Sequence, residues 1–208
     1  MKNKLDLASW PRKDHFNFFK QFEEPFFGVC VPVDCTTAYL HAKKNNHSFF
    51  LYYLHKSLVA ANKIEPFKYR IEGDDVIQYD EVHASPTINR KDGTFGFAYM
   101  NYKPRFADFV AEAQVQIDKV QTTTGLVPAV AGENVIHYSS VQWINFTALS
   151  HARAFSFKDS IPKISFGKMT DENGVKKMPL SVHVHHALMD GFHVGQYIEC
   201  FQQLLNEV

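Results

Sequence analysis

The spacing of apolar residues along the chain predicts four amphipathic helices. Each segment repeats large apolar side chains at three- and four-residue intervals, which places them on one face of a helix. Three of these segments follow residues that commonly begin a helix, Pro11, Ser48 and Pro104, and the fourth lies near the end of the chain. Their apolar positions are Phe16, Phe19 and Phe22; Phe50, Leu54 and Leu58; Phe106, Phe109, Val110, Ala113, Ile117 and Val120; and Val194, Tyr197, Ile198, Phe201, Leu204 and Leu205.

Between the helices the pattern changes to short runs of apolar, β-branched and aromatic residues, which predict strands. The runs occupy residues 26–33, 67–72, 76–79, 94–102, 135–139, 143–147, 163–168 and 176–185. The turn at 72–75 leaves no room for a crossover helix, so part of the sheet is expected to be antiparallel. The predicted fold class is therefore α/β, a two-layer α+β sandwich with a mixed sheet.

No segment has the composition of a linker and no internal repeat is present, so we expect one domain spanning residues 1–208. Helices placed at the beginning, middle and end of the chain would cover one face of the sheet. The other face would then be buried by something else, and we expect another subunit to do so.

Composition excludes several classes of function. The 208 residues are 45% apolar and 21% charged, and 22 basic residues balance 22 acidic ones, so no net charge attracts nucleic acid. No run approaches the roughly 18 apolar residues of a membrane span, and early charges exclude a secretory signal. Three cysteines, Cys30, Cys35 and Cys200, fit thiols in a reducing compartment better than a disulfide framework. We therefore expect a cytoplasmic protein.

Four of the 11 histidines, His183, His185, His186 and His193, fall within one short stretch near the C-terminus. If residues 176–185 form a strand, His183 and His185 face one side of the sheet and His186 faces the other. Zinc binding is one use of two histidines on one face, but no clear third ligand follows, so we expect no metal. The alternative is acid–base catalysis, for which an imidazole at a rigid strand end is well suited.

The residues His185-His186-Ala187-Leu188-Met189-Asp190-Gly191 match HHxxxDG, a signature of acyltransferases that use acyl thioesters. Taken alone, Asp190 and Gly191 also have a structural explanation as a helix N-cap and a turn residue. The longer run HHALMDGFHV and the length of the chain resemble the chloramphenicol O-acetyltransferase family. This resemblance implies that family's fold and a homotrimer in which each active site lies between subunits.

Three further segments resemble the family. Trp10 to Phe16 is similar to W-x-R-x-x-H-F, which implies that Arg12 pairs with Asp190. Ser139 begins a segment similar to S-x-x-P-W, which implies that its hydroxyl stabilises the tetrahedral intermediate. Ser165 falls where the family has a threonine that holds a water nearby. The resemblance makes His186 the general base, with one ring nitrogen held by its own backbone carbonyl, and implies direct transfer of acetyl from acetyl-coenzyme A without an acyl-enzyme.

The 19 phenylalanines and 9 tyrosines would serve either as a dense core, which we favour, or as the lining of a pocket for a flat ligand. The expected substrate-binding residues are Phe18, Phe19, Glu23, Phe27, Phe95 and Trp143. The sequence departs from the family where Gln142 replaces a proline, Phe19 a tyrosine and Glu23 a leucine. The last two changes would alter the alcohol that the enzyme accepts.

The expected function is acetyl transfer from acetyl-coenzyme A to a hydroxyl of a small xenobiotic, with chloramphenicol or a related alcohol as the acceptor. An acyltransferase core that uses lipoyl-bound acyl groups is the alternative enzyme, although such cores come with additional domains. A non-catalytic trimer that binds flat aromatic ligands is the alternative from another class. Release of free thiol from the thioester would separate it from either enzyme.

Overall fold

The fold is built on a mixed β-sheet with helices packed on one of its faces. The computed structural model describes residues 1–126, 132–156 and 158–207. The strands are β1 (Lys2–Lys4), β2 (Phe26–Asp34), β3 (Tyr69–Glu72), β4 (Asp75–Tyr79), β5 (His83–Asn89), β6 (Phe95–Phe97), β7 (Val135–Ser140), β8 (Lys163–Phe166), β9 (Thr170–Glu172) and β10 (Val175–His185). The helices are α1 (Lys13–Phe19), α2 (Thr36–Lys44), α3 (Phe49–Lys63), α4 (Phe106–Thr122) and α5 (Gly191–Asn206), with a 3₁₀ helix at Glu65–Lys68.

The main sheet has the strand order β2-β10-β8-β7-β5-β6, and β9 also pairs with β10. Strands β5, β7 and β8 run parallel to one another, whereas β10 is antiparallel to its three partners, β2, β8 and β9. The turn at 72–75 joins β3 and β4 in a separate three-stranded sheet with the order β1-β4-β3. The predicted α/β class with a mixed sheet is therefore confirmed, and β10 is the strand that carries the candidate histidines.

The two faces of β10 differ in chemistry. Leu180, Val182 and Val184 are fully buried and belong to the main hydrophobic core, together with side chains of α2, α3, α4 and α5. Ser181 and His183 alternate with them and therefore lie on the face opposite the helices. The helix-covered face carries the apolar core, and the opposite face of β10 carries polar side chains.

A smaller core fixes the chain that follows β10. Ala187 and Leu188 are fully buried against Phe16 of α1 and against Tyr69 and Val76 of the three-stranded sheet. Burial of apolar side chains in a close-packed cluster holds the backbone in one arrangement. The backbone of this segment is therefore held rigidly, although it forms a turn and not a helix or a strand.

The predicted helices all occur, with shifted ends. Helix α1 stops at Phe19, so Phe22 lies beyond it, and α4 begins at Phe106. Ser48 caps α3 as predicted, because its side chain accepts a hydrogen bond from the Leu51 amide. Helix α2 was not predicted: its buried positions are two alanines, and such small residues give a weak amphipathic pattern.

Three of the predicted strands differ from the structure, and β1, β5 and β9 were not predicted. Residues 143–147 form a turn and irregular chain. The predicted strand at 67–72 begins only at Tyr69, because Glu65–Lys68, with Pro66 in the first turn, form the 3₁₀ helix. The predicted strand at 94–102 is regular only over Phe95–Phe97. Its Ala98 amide still donates to the carbonyl of Pro86, but proline has no amide hydrogen to return the bond. The same Pro86 lies inside β5, a strand that the sequence pattern did not predict.

No helix within the described ranges is both long enough and apolar enough to span a membrane.

Candidate active site

The two adjacent histidines at the end of β10 have different environments. Here residues 185–190 are called the histidine turn. His185 is 5% exposed, its ring lies edge-on to Phe26, and its Nδ1 accepts a hydrogen bond from the Ala187 amide at 3.2 Å. Burial, and then the charge of Arg153, lowers the pKa of His185 to about 4. This histidine is therefore a neutral structural residue at neutral pH.

His186 faces the other way and is half-buried between two phenylalanine rings. Its ring stacks on Phe19 with centroids 3.9 Å apart and an interplanar angle of 12°, and Phe27 lies 4.7 Å away. Its Nδ1 is 3.3 Å from the carbonyl oxygen of Met189. The expectation that the imidazole bonds to its own carbonyl is wrong in this structure, because Nδ1 contacts the Met189 carbonyl instead; the His186 carbonyl accepts a hydrogen bond from Arg12 at 3.2 Å.

Arg12 and Asp190 form the expected ion pair, with their side chains 13% and 33% exposed. Asp190 is also the N-cap of α5, and its other carboxylate oxygen accepts from the Phe192 amide at 3.1 Å and contacts His193 Nδ1 at 2.9 Å. Burial opposes ionisation of Asp190, but the hydrogen bond and charge of Arg12 outweigh it and hold its pKa below the ordinary value. The carboxylate is thus directed to α1 and α5 and makes no hydrogen bond to His186.

Three serines form a row across the face of the sheet opposite the helices. Ser139 of β7 pairs laterally with Ser165 of β8, which pairs with Ser181 of β10. Ser165 and Ser181 are fully buried, and Ser181 Oγ lies 3.1 Å from His183 Nδ1. Within the described part of the chain, Ser165 Oγ has no hydrogen-bond partner. Ser139, Ser165 and Ser181 are called the serine row below.

The serine row and the catalytic histidine candidate are far apart within one chain. His186 stands five positions beyond Ser181 along β10 and its continuation, and each residue of a strand advances the chain by about 3.3 Å. The lateral distance between neighbouring strands adds to this separation for Ser165 and Ser139. Within one chain, therefore, His186, Arg12 and Asp190 lie together. The serine row forms a second group that is not in contact with the first.

The remaining predicted substrate-binding residues are dispersed. Phe18 packs edge-on against Phe19 at 5.0 Å and is 59% exposed. Glu23 lies at the wall of a cavity of about 430 Å³, next to His185 and not His186. Phe95 belongs to β6, four strands away from β10, and Trp143 is 69% exposed in the turn after β7. Of the predicted pocket residues, Phe19 and Phe27 contact the His186 ring, and Phe18 packs against Phe19.

Sequence reasoning assigned no role to two groups beside these sites. His193 stands at the third helical position after the cap Asp190, so the capping-box spacing could have identified it. His137 stands two positions before Ser139 in the same strand, and the alternation of a strand could have placed it on the same face. Among the described residues, no group of three or more potential ligands could hold a metal ion.

Comparison with known proteins identifies the family. A family model described as chloramphenicol acetyltransferase matches residues 1–202. Chloramphenicol acetyltransferase 3 of Escherichia coli is 28% identical over 206 residues, covering 98% of this chain and 96% of that protein. A solved structure of a chloramphenicol acetyltransferase superposes with a TM-score of 0.90 at 30% identity, covering 99% of this chain and all of the other.

A more distant structure shares the fold alone. It is a probable dihydrolipoamide acetyltransferase from Listeria monocytogenes, with a TM-score of 0.69 at 14% identity over 93% of this chain and 89% of that chain. The family match spans almost the whole chain, and the sandwich architecture agrees with it. The chain belongs to the chloramphenicol acetyltransferase family and is an acyltransferase of that type.

Proposed function

We propose that this protein transfers an acetyl group directly from acetyl-coenzyme A to a hydroxyl of a small alcohol, with His186 as the general base. Chloramphenicol or a related xenobiotic is the first acceptor to test, because it is named in the relatives and in the matching family. The arrangement of His186 carries the proposal. Its ring is held between Phe19 and Phe27, with Nδ1 next to a backbone carbonyl.

This arrangement fits the chemistry of a general base. A proton on Nδ1 that is donated to the Met189 carbonyl leaves the lone pair on Nε2, which then accepts the proton of the acceptor hydroxyl. The alcohol oxygen forms a bond to the acetyl carbon as this proton moves, which typically contributes about 10²–10⁴ in rate. Arg12 and Asp190 would act as positioning residues, because they fix the histidine turn without touching the imidazole.

Attack on the thioester places negative charge on the carbonyl oxygen, and a hydroxyl directed at this oxygen stabilises it. We assign this role to Ser139. The buried Oγ of Ser165 lies beside it in the serine row, and we assign it the binding of a water near the same site. When the intermediate collapses, the carbon–sulfur bond breaks and the thiolate of coenzyme A takes the proton from His186.

No acyl-enzyme is needed in this scheme. The three cysteines are free thiols, but none belongs to the histidine turn or to the serine row. Burial raises the pKa of the Cys35 thiol to about 12 and also raises the pKa of Cys200, so these two sulfurs are poor nucleophiles at neutral pH. Free thiols also agree with a protein that works in the cytoplasm.

The separation of His186 from the serine row supports a homotrimer with shared sites. Their reacting groups lie too far apart within one chain to touch the same acetyl group. In a cyclic trimer, the histidine turn of one subunit would face the serine row of the next, and the open face of the sheet would be covered there. Each site would then consist of His186 from one subunit and Ser139 with Ser165 from its neighbour.

Complementation between two inactive variants tests this arrangement. Chains carrying His186→Ala are mixed with chains carrying Ser139→Ala, and thiol release from acetyl-coenzyme A is measured with chloramphenicol as the acceptor. We expect the mixture to regain about a quarter of the parent rate, since about one in four random interfaces joins two intact halves. Light scattering should give about three times 23.9 kDa for each variant and for the mixture.

The outcomes are distinct. If the mixture is no more active than the two variants alone although trimers have formed, the shared site is wrong. An active monomer would exclude both the trimer and the shared site. If the parent binds acetyl-coenzyme A but releases no thiol with any alcohol, the protein is not the proposed enzyme.

A further inference from the structure

A cavity of about 430 Å³ lies beside the histidine turn, on the side of His185. Its wall comes from residues 20–25 after α1, from the turn between β3 and β4, and from residues 153–156 and 158–160 before β8. The turn between β3 and β4 belongs to the three-stranded sheet, and no member of the serine row lines the cavity. The volume falls within the range of about 300–1,000 Å³ that is typical of small-molecule sites. We call this space the His185 cavity.

Two buried side chains of the His185 cavity each have a proton to donate. His185 is 5% exposed and Ser160 is 3% exposed. Because His185 Nδ1 accepts a hydrogen bond from the Ala187 amide, the proton of its neutral ring is on Nε2. Ser160 Oγ accepts from the Ile71 amide at 2.9 Å, and its own hydroxyl proton has no acceptor among the described residues. Both groups therefore suit a ligand that brings acceptor atoms.

The third polar group of the His185 cavity is the guanidinium of Arg153. Its side chain is 12% exposed, it contacts the carboxylate of Glu24, and its guanidinium lies over the Phe26 ring at 3.9 Å. Nη1 is buried, and the contact with Glu24 does not have the geometry of a hydrogen bond. A guanidinium has five N–H donors in a planar fork that matches the two oxygens of a carboxylate. Arg153 thus has donors left for a second carboxylate.

Two carboxylates of the cavity wall already have cationic partners. Asp159 forms an ion pair with Lys163, which stands outside the cavity, and Asp74 pairs with Lys20 at 3.2 Å. An ion pair of this kind presents little net charge to a ligand. The acidic residues therefore do not cancel the preference for an anion that the donors create.

The rim of the His185 cavity is partly apolar. Phe22 is 45% exposed and Phe155 is 65% exposed, and both rings belong to the wall. Lys158 and Glu23 are also exposed at the rim, where their opposite charges offset each other. Exposed aromatic rings in a cavity favour a ligand with an apolar body, because contact removes both surfaces from water.

We propose that the His185 cavity binds a small carboxylic acid with an aromatic or aliphatic body. The carboxylate accepts hydrogen bonds from Arg153, His185 Nε2 and Ser160, while the body of the ligand packs against the two exposed rings of the rim. A cation would meet the guanidinium, and a neutral amide would forgo the charge-assisted hydrogen bonds. This inference goes beyond the proposed function, because neither His186 nor the serine row lines the cavity.

The test is titration calorimetry on the intact protein with three probes. Benzoate has the charge and the apolar body, benzamide lacks the charge, and acetate lacks the body. We expect benzoate to bind about tenfold or more tightly than either of the others, because it alone makes both sets of contacts. A parent protein that binds no benzoate, or that binds benzamide as tightly as benzoate, would overturn the inference.

Variants show whether the binding occurs in the His185 cavity. Arg153→Gln should weaken benzoate about tenfold and leave benzamide unchanged. Arg105→Gln is the matched control, because Arg105 is exposed at the start of α4 and does not line the cavity. Circular dichroism checks that each variant is folded. A folded Arg153→Gln protein with the affinity of the parent would overturn the inference.

Two substitutions at the exposed rim keep the test decisive if Arg153→Gln does not fold. Lys158→Gln should weaken benzoate by about two- to threefold, and Glu23→Gln should strengthen it by a similar factor, because each removes one charge near the bound anion. Unchanged affinity in both variants would place benzoate outside the His185 cavity and overturn the inference. These outcomes do not depend on acetyl transfer, so the proposed function is tested separately.

Discussion

The histidine turn follows strand β10 and the serine row crosses that strand, but the two differ in how their polar groups are satisfied. In the histidine turn, Arg12 bonds to Asp190 and to the His186 carbonyl, and Asp190 also caps α5. In the serine row, Ser165 Oγ is buried with no partner among the described residues. Arg12 Nε beside the turn also lacks a partner among the described residues, but the turn makes several hydrogen bonds within one chain, whereas in our proposal the Ser165 hydroxyl is completed by a water.

This difference corresponds to two separate tasks, positioning of a catalytic base and recognition of a substrate. A catalytic base has to be held in one orientation, and a small hydrophobic core with Ala187 and Leu188 supplies that rigidity. Groups that recognise a substrate need free donors and acceptors in the unliganded protein. The histidine turn and the serine row can therefore be altered separately. Four predictions test whether they behave differently.

The largest effect should follow from removing the base. We expect His186→Ala to lower kcat by about 10²–10⁴ without unfolding the protein, because its half-buried ring makes no ion pair. His185→Ala should change kcat far less, although it should lower stability, because it removes a buried ring from beside Phe26. Steady-state kinetics and urea unfolding measure the two quantities. The reverse pattern, with His185→Ala inactive and His186→Ala active, would mean that the histidine turn has been assigned incorrectly.

A smaller loss of activity should follow from removing the oxyanion donor. Ser139→Ala is expected to raise the activation barrier by about 3 kcal/mol, seen in kcat more than in KM. Ser181→Ala is the control from the same row, since its hydroxyl already bonds to His183. Equal losses in the two variants would remove the special role of Ser139 in the serine row.

The ion pair of the histidine turn should affect stability as well as rate. Arg12→Ala and Asp190→Ala are each expected to lower the free energy of unfolding by about 2 kcal/mol, because a charged hydrogen bond is lost, and Asp190 in addition loses its helix cap. The partial exposure of both side chains keeps this below the value for a fully buried pair. A double-mutant cycle should give coupling between the two positions, and strictly additive effects would contradict the pairing.

The smallest expected effect concerns acid. The pKa of His185 is about 4 in the folded protein and about 6.5 in the unfolded chain, because burial and the charge of Arg153 disfavour its protonation. The unfolded chain therefore binds more protons between these values, and stability falls as the pH drops from about 6.5 towards 4. One such group contributes a loss of about 1 to 2 kcal/mol between pH 7 and pH 5.

Urea unfolding at the two pH values measures this loss in the parent protein and in His185→Asn. Asparagine retains an acceptor for the Ala187 amide but cannot be protonated in this range. The loss should be smaller in the variant. An identical loss in both proteins would mean that the acid sensitivity arises elsewhere than in the histidine turn.

The histidine turn could be predicted from the sequence because its parts are local. The alternation of β10 separates His185 from His186, and an aspartate before a glycine predicts the start of α5. Among these contacts, only the pairing of Asp190 with Arg12 was inferred from the resemblance to a family. The Met189 carbonyl was missed, since a ring nitrogen can reach several carbonyls in a turn and the pattern of residues does not choose among them.

The serine row could not be predicted in the same way. Its members come from β7, β8 and β10, and which strands are neighbours depends on the topology of the whole sheet. Ser139 and Ser165 were found only through the resemblance, and Ser181 was not singled out. The unpredicted β5, with Pro86 inside it, is the strand that pairs with β7 and thereby fixes this part of the sheet.

The pair between Arg12 and Asp190 joins residues 178 positions apart, and strand β2 pairs along its whole length with β10. Contacts of such long range form slowly, since a long loop must close before they are gained. The ribosome will have made four of the five helices and most of the sheet before β10 exists, so the emerging chain carries an unpaired β2 edge for most of its synthesis. The proposed active site is thus among the last parts of the molecule to form, and during that interval the exposed strand is a site at which newly made chains can aggregate.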